Sequence, residues 1–566
     1  MYEYKLKIQK YKDVIVKLVK NNNVVVIRAP TGCGKSTYVP LLFKDKKVAV
    51  IEPRRIAVMS LYNTLVKSNE LNVGYKMRFN IKVPSNSDCF TNIYTDGAFL
   101  ANLDLDYDVI IIDEVHERSV RTDVLLSILK NKIKEKKFKL ILMSATVDVD
   151  KITNFFNAHL LDIKMKTFPI EINYLDVPTP DYINQSYLAI KNIIKNYPLD
   201  EDRNDILVFL PGSDDIEELY RLVSKIPSIL SYKIYSVLSD EEQSKIFEST
   251  QIRKVILSTN ICETSLTIPS VKYVIDTGLY KVKIFNGISY LGIKSISDES
   301  ALQRIGRCNR LGPGVVYKLY TKSQKLEQNI PEMVRSDLST MILLVLSHKI
   351  DLMNLDFIDL PRRSQIQSAL DILELFKCIK INNNDLTLTS YGRRLSYHPF
   401  DVHLANFYEK CIENKIAKYG SILLSMISLE NFNFLNSDSK ELDIRYLVRI
   451  FEEYKNSSNK RKYVIDNNLP SKGMSMALQI YKSLRKNCSV SDENVIEILE
   501  KVFSDSFKHN LCVKSNDGSY IHQNTKQKVF IHPSSGYFKR NIRKVVIVDL
   551  FYSTKLYMRI VGNYII

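Results

Sequence analysis

The segment Ala29-Pro30-Thr31-Gly32-Cys33-Gly34-Lys35-Ser36-Thr37 has the residue types needed to hold a triphosphate. Its glycines let consecutive backbone N–H groups turn toward one anion. It follows an apolar run and precedes a helical stretch, whose N-terminal dipole favours the same charge. In such a loop the Lys35 ammonium reaches the β- and γ-phosphates and the Ser36 hydroxyl holds Mg2+. Thr31, Gly32, Cys33, Gly34, Lys35, Ser36 and Thr37 are therefore candidate nucleotide-binding residues. A second cluster, Asp113-Glu114-Val115-His116-Glu117-Arg118, closes another apolar run. Phosphoryl chemistry needs one carboxylate in the metal's shell and one to orient the attacking water; Asp113 suits the first and Glu114 the second. Ser36, Asp113 and Glu114 are the candidate Mg2+ ligands. A third cluster is Gln303-Arg304-Ile305-Gly306-Arg307-Cys308-Asn309-Arg310. Arginines three apart share one side of a helix, and an arginine aimed at a γ-phosphate raises the rate by about 10³–10⁵-fold. An Arg-rich helix facing solvent or RNA is the alternative reading of this segment taken alone.

The elements that must carry these groups are legible as alternating patterns. VVVIRAP (24–30), KVAVIEP (47–53), YDVIIIDE (107–114) and FKLILMSAT (138–146) are short apolar runs with polar exits, separated by helix-like segments. This alternation predicts a parallel sheet covered by helices on both faces, with ligands gathered beyond the carboxyl ends of its strands. The pattern restarts with NDILVFLPGSDD (204–215), YKIYSVLSD (232–240), RKVILSTN (253–260) and VKYVIDTG (271–278), which predicts a second α/β domain. Asn286-Gly287, flanked by alternating apolar residues from Lys281 to Tyr290, predicts a hairpin. From about 320 to 500 the apolar spacing is helical, as in SQIQSALDILELFK. From 511 onward YIHQNTKQKVFIHPSSGYF and RKVVIVDLFYSTKLYMRIVG alternate like strands of a small barrel.

Composition narrows the partners. The 566 residues carry a net charge of +17, a surplus that favours a polyanion through counterion release. Residues 511–566 hold nine Lys and Arg against two Asp and Glu. The eight cysteines are scattered with no CxxC spacing, which argues against a zinc module or disulfide framework and for a reducing compartment. No apolar run approaches the length of a membrane span.

The order of these motifs resembles that of the DEAH-box helicases of the DEAH/RNA helicase A group, in a DEVH variant. Further segments carry the likeness: Pro53-Arg54-Arg55, Val73-Gly74-Tyr75-Lys76-Met77-Arg78-Phe79, Thr95-Asp96-Gly97, Ser144-Ala145-Thr146, Phe209-Leu210-Pro211-Gly212 and Ser258-Thr259-Asn260-Ile261-Cys262-Glu263-Thr264-Ser265-Leu266-Thr267. The resemblance implies that Lys35, Glu114, Gln303, Arg307 and Arg310 serve catalysis. It implies that Phe247 stacks on the nucleotide base, that Asp276 also contacts nucleotide, and that Ser144, Thr146, Ser265 and Thr267 couple the two sites. It assigns RNA backbone contacts to Arg55, Thr95, Gly212, Thr259 and Asn260, with Arg78 and Arg54 weaker candidates. Backbone contacts carry no sequence information, so RNA binding should be sequence-tolerant and salt-sensitive. The chain departs from the family at Thr64, where the second base-stacking arginine is expected, and at Asn309, where motif VI has glycine. Ala29 replaces the first loop glycine.

The implied architecture is α/β multidomain: two tandem RecA-like parallel-sheet domains (1–170 and 171–325), a winged-helix (326–390), a helical ratchet (391–500) and a small OB-type β-barrel (501–566). The implied activity is ATP- or NTP-dependent translocation on single-stranded RNA, 3′→5′, with duplex unwinding or remodelling of RNA–protein complexes. Mg2+ and ATP are the expected cofactor and substrate. RNA is the expected partner, a protein activator could sit on the barrel or winged-helix, and a monomer in the cytoplasm or nucleus, or in a virion if the source is viral, fits the rest. Tyr520, Tyr537, Phe538, Lys539 and Arg540 are candidate strand contacts on the barrel, while His532 reads as a hydrogen-bonding structural residue. Two other readings stay open: an RNA-binding scaffold with a decayed ATPase, and a nucleic-acid-stimulated NTPase acting on DNA.

Overall fold

The computed structural model describes residues 7–30, 32–67, 72–85, 88–103, 105–135, 137–145, 149–164, 168–197, 205–234, 246, 248, 250–263, 268–309, 312–327, 330–382, 385–429, 433–435, 441–484 and 494–565. The chain divides into two compact units. The first comprises 1–282, 293–333 and 355–360; the second comprises 283–292, 334–354 and 361–566.

The first unit holds two sheets. The N-terminal sheet contains β1 (Val24–Arg28), β2 (Lys47–Glu52), β3 (Val73–Met77), β4 (Asn80–Lys82), β5 (Phe90–Thr95), β6 (Val109–Ile112), β7 (Lys139–Ser144) and β8 (His159–Asp162), in the order β4-β3-β5-β2-β6-β7-β1-β8. All neighbours are parallel except the β3–β4 pair. Continuous apolar runs such as VVVIR and VIII suit strands covered on both faces, and β1 and β6 are buried along almost their whole length. Register aligns Val26 with Leu142 and Ile111 with Ile141. The exits of β1, β2, β6 and β7 therefore lie along one edge of the sheet, which is where Lys35, Glu52, Asp113 and Ser144 originate.

The second sheet contains β9 (Ile170–Tyr174), β10 (Asp205–Phe209), β11 (Ile229–Ile234), β12 (Arg253–Ser258), β13 (Val271–Asp276) and, after a hairpin, β16 (Gly314–Lys318). It is wholly parallel, in the order β11-β12-β10-β13-β16-β9. The hairpin strands are β14 (Leu279–Phe285) and β15 (Ser289–Ser295). The Asn-Gly signal marks the turn between them, with Gly287 at φ 74°. Its distal part, 283–292, groups with the second unit.

The second unit is helical over most of its length and ends in a barrel of β19 (Leu511–Lys514), β20 (Tyr520–His522), β21 (Lys528–Ile531), β22 (Lys544–Tyr552) and β23 (Leu556–Asn563), which the β22–β23 pairing closes. Between β16 and β19 the strands β17 (Ile379–Asn382) and β18 (Asp385–Leu388) form a small antiparallel pair. Tyr520 and Tyr537 are 2% exposed and sit in the barrel core. They are not strand contacts, contrary to the expectation from sequence: alternation on β20 marks two faces but not which one is interior, and Tyr537 lies in the turn region between β21 and β22, where no alternation applies. Asp443, at the start of the helix Asp443–Asn456, ties that helix to the barrel. Its carboxylate accepts from Ser535 Oγ at 2.8 Å, Gly536 N–H at 2.9 Å and Val561 N–H at 2.9 Å. Burial pushes this carboxyl up to about 6. Among the described residues no helix is long and apolar enough to cross a membrane.

Candidate active site

Two glycines shape the loop after β1. Gly32 and Gly34 have φ of 77° and 91°, a left-handed backbone that side chains disfavour. Gly34 then caps the helix Lys35–Leu41. Cys33 O accepts from Ile8 N–H at 3.3 Å, and Ala29 N–H donates to Ser144 O at 3.0 Å, so neighbouring segments brace both ends of the loop. Lys35 is buried, and its Nζ lies 3.4 Å from Glu114 Oε1. Ser36 Oγ donates to Asp113 Oδ2. Two stretches far apart in sequence thus meet through two side-chain pairs.

The turn after β6 is strained in a directed way. Glu114 adopts φ 49°, a left-handed conformation that costs about 1–2 kcal/mol for an L-residue. Its own N–H donates to Asp113 Oδ1 at 2.8 Å. Burial presses the Glu114 carboxyl upward, but Lys35 and His116 more than offset it and hold it below the ordinary range. Asp113 is pushed up to about 6, by burial first and by Glu114 after that, against the pull of Lys35. Lys35 keeps its proton more tightly than usual: burial opposes the charge, yet Glu114 and Asp113 outweigh it. His116 is buried, which lowers its affinity for a proton. Ala145 N–H points at His116 Nδ1 from 3.4 Å, and Ser144 Oγ is at the same distance. The same Nδ1 lies 3.4 Å from Glu114 Oε2.

The second sheet contributes from across this edge. Arg307 is buried, and desolvation lowers its guanidinium to about 10 while Cys262, Glu114 and Glu263 pull the other way. Its charge is therefore felt at Glu114. Arg304 is directed elsewhere. It is fully buried, donating from Nε to Glu263 Oε1 at 2.7 Å, from Nη1 to Asp276 Oδ1 at 2.6 Å and from Nη2 to Leu279 O at 3.1 Å. The helix Asp298–Ile305 ends before Arg307, so the three-residue spacing does not place Arg304 and Arg307 on one helical face, as expected from sequence.

Residues 9–155 match the DEAD/DEAH box helicase family, and residues 187–312 match the helicase conserved C-terminal domain. The ATP-dependent RNA helicase DHX33 of Mus musculus is 30% identical, with 96% of this chain and 85% of that protein covered. The ATP-dependent RNA helicase HrpA of Borreliella burgdorferi is 32% identical, with 99% of this chain and 74% of that protein covered. The chain belongs to the DEAH-box RNA helicase family. A crystal structure of the Escherichia coli DEAH/RHA helicase HrpB shares the fold at TM-score 0.81 and 23% identity, covering 99% of this chain and 71% of that one.

In this helicase the sequence-assigned residues do not all meet. Lys35, Ser36, Asp113 and Glu114 converge, with Gly32, Cys33, Gly34 and Thr37 on the same loop and helix and Arg307 electrostatically linked to Glu114. Asp276 stands apart, its carboxylate taken by Arg304, Gly278 N–H at 2.9 Å and Tyr320 OH at 3.3 Å. Thr31, Thr146, Phe247, Ser265, Thr267 and Arg310 lie outside the described residues. Gln303, which precedes Arg304 on its helix, is half-buried.

The RNA candidates lie at strand exits. Arg55 is exposed and donates to Arg78 O at 2.8 Å. Thr95 ends β5, Gly212 precedes the helix Ser213–Val223, and Thr259 and Asn260 follow β12. The weaker candidate Arg54 is engaged otherwise: it pairs with Glu117 at 3.1 Å and donates to Asn260 O at 3.0 Å, joining the exits of the two sheets. Asn309 keeps its segment in place through Nδ2 to Phe168 O at 3.3 Å, and its backbone does not become left-handed.

Glu52 was missed. It is 3% exposed at the end of β2, and burial together with Asp113 and Glu114 pushes its carboxyl well up. A polar residue closing the run KVAVI, on the strand next in sheet order to the one that Asp113 follows, was the available signal.

Proposed function

We propose that this RNA helicase hydrolyses ATP between the exits of its two parallel sheets and uses the cycle to translocate 3′→5′ on single-stranded RNA and part duplexes. The observation that carries the reading is the convergence of Lys35 on Glu114 and of Ser36 on Asp113 under the charge of Arg307. In this reading Lys35 and the loop amides bind the β- and γ-phosphates, with Gly32, Cys33, Gly34 and Thr37 around them. Glu114 orients the attacking water and accepts its proton, a role suited to a carboxyl held ionised. Gln303 and Arg310 join Arg307 in neutralising charge on the transferred phosphoryl group. Phe247 stacks on the base.

Mg2+ fits the oxygen donors present. Ser36 and Asp113 offer a hydroxyl and a carboxylate that already meet, and Glu114 Oε2 is buried without a hydrogen-bond partner among the described residues. Among those residues no group of three or more His, Cys, Asp or Glu could hold a metal alone. Mg2+ is typically bound through one or two carboxylates plus substrate phosphates, and Asp113 and Glu114 supply two carboxylates. Bound there, Mg2+ would neutralise phosphate charge. Ser36 and Asp113 would hold it, with Glu114 beside them.

We assign the modules as 1–170 and 171–325 for the two RecA-like domains, 326–390 for the winged-helix, 391–500 for the ratchet and 501–566 for the barrel. RNA backbone is read by Arg55, Arg78, Thr95, Gly212, Thr259 and Asn260, and Ser144, Thr146, Ser265 and Thr267 relay nucleotide state. The buried thiols of Cys33, Cys262, Cys378, Cys411 and Cys512 support a reducing compartment. Unwinding by the purified chain with 3′- and 5′-tailed RNA and DNA duplexes tests the reading. ATP-dependent parting of the 3′-tailed RNA duplex alone is the expected result. Parting of DNA in preference, or equal ATP turnover by wild type and Lys35→Ala with saturating RNA, overturns it.

A further inference from the structure

Three half-buried titratable side chains form a chain in the second unit, well removed in sequence from the residues assigned to catalysis. Asp337 precedes the helix Ser339–Ser347 and is fixed by Ser339, accepting from its N–H at 2.9 Å and its Oγ at 2.8 Å. His403, the second residue of the helix Val402–Glu413, places Nε2 3.1 Å from Asp337 Oδ2. Its Nδ1 lies 3.0 Å from His509 Nε2. His509 sits in the helical turn Lys508–Asn510 that leads into β19. The edge of Phe376 closes over both rings, at 5.5 and 5.3 Å between centroids. The His509 Nδ1 atom is buried with no hydrogen-bond partner among the described residues.

These contacts fix the proton positions. A carboxylate accepts, so His403 donates from Nε2, and the neutral ring accepts at Nδ1 from His509 Nε2–H. The bare His509 Nδ1 is then the vacant end of the chain. A proton taken up there releases the Nε2 proton of His509 to His403 Nδ1. His509 is neutral again as the other tautomer, and His403 is an imidazolium held between Asp337 and His509. No heavy atom has to move.

We propose that Asp337, His403 and His509 form a proton-uptake switch that fastens the anchor of the β14–β15 hairpin to the helical region and the barrel. The anchor is Arg335, two residues before Asp337. It donates to Lys283 O at 2.9 Å and accepts from Phe285 N–H at 2.9 Å. The surrounding charges sort the two imidazoles. Burial works against a charge on His403, but Asp337 and Asp401 outweigh it and Lys283 of the hairpin opposes them, leaving the ring's affinity raised above the ordinary histidine value. Burial, with His403, His522 and Lys410, drives His509 well below it, against the pull of Asp337. The added charge therefore resides on His403. With its folded value raised, the joint is strong below pH 6.5 and weakens as the pH climbs through that value.

Histidine ring resonances of the full chain, labelled with 13C and followed from pH 5.5 to 8.5, test the proton chemistry. One ring titrating above 6.5, absent in His403→Gln and shifted down by at least about one pH unit in Asp337→Asn, is expected. No ring above 6.5, or no shift in Asp337→Asn, overturns the switch. The consequence for the hairpin rests on the helicase reading and is measured as base pairs opened per ATP hydrolysed. That ratio should fall at least about twofold between pH 6.5 and 8.5 in wild type and stay flat in His403→Gln and His509→Phe. The wild-type slope persisting in both variants removes the link to the hairpin. A chain that opens no duplex at any pH defeats the helicase reading instead, and the ring titration still decides the switch.

Discussion

Lys35 Nζ and Glu114 Oε1 lie 3.4 Å apart, buried, from positions 79 residues distant in the chain. The cation that we propose binds phosphate is thus held by the carboxylate that we propose orients water. On that proposal, phosphate that draws Lys35 away frees the Glu114 oxygens to accept and, with its cation gone, raises the proton affinity of the carboxyl.

Lys35→Ala should lower RNA-stimulated ATP turnover by more than about 100-fold. It also leaves Glu114 and its neighbouring carboxyls without their cation, at a cost of about 3–5 kcal/mol in stability near neutral pH. Because Lys35 is what holds Glu114 down, the variant should recover part of that loss as the pH falls toward 5. Phosphate release and denaturant titration at pH 7.5 and 5.5 check both statements.

Arg307→Met separates stability from activity. Burial already opposes the guanidinium charge, so replacing it with an apolar side chain should leave the melting temperature unchanged or raised. Turnover should drop by about 10³–10⁵-fold. A matched loss of melting temperature would mark Arg307 as a structural residue instead.

Arg304→Leu does the reverse. It strands Asp276 and Glu263, whose carboxylates Arg304 contacts at 2.6 and 2.7 Å. Stability should fall by about 3–5 kcal/mol, while KM for ATP at a temperature where the variant is folded stays within about twofold of wild type. A large rise in KM, shared by Asp276→Asn, would restore Asp276 to the nucleotide site.

Arg55→Ala should weaken binding of all single-stranded RNA sequences alike. The slope of log affinity against log salt should become shallower by about one. A sequence-dependent loss in a panel of homopolymers would contradict a backbone contact.

Asp443 carries a pH signature. Its folded value of about 6 stands above the ordinary 3.8, so the protonated form is favoured by folding. Its contribution is complete below pH 3.8 and is lost as the pH rises to about 6, a difference of about 3 kcal/mol. The stability gap between wild type and Asp443→Ala, measured by denaturation from pH 4 to 7.5, should therefore narrow as the pH rises. A gap independent of pH over that range contradicts the assignment.

The contiguous motifs were legible because their chemistry is local. Gly32-Cys33-Gly34-Lys35 specifies its own turn, and Asp113-Glu114 announces itself at the end of VIII. Strand alternation also carried both parallel sheets, the Asn286-Gly287 hairpin and the closing barrel. What escaped was set by packing across elements. Arg304 and Arg307 read as equivalent until the helix was seen to stop between them. Glu52 is one carboxylate at a strand exit until sheet order puts it beside Asp113. Tyr520 on β20 and Tyr537 in the turn region before β22 carry no local mark of which side they face, yet the barrel closes with both inside. His403 and His509, 106 residues apart, carry no local signature at all.

Arg54 grips Asn260 through a main-chain oxygen, not through its carboxamide. Any amino acid at 260 offers that same oxygen, so the tether between the sheets is indifferent to substitution there. Position 260 can therefore vary in what its side chain touches without loosening the two lobes, and evolution or a protein engineer can retune one task while the other stays intact.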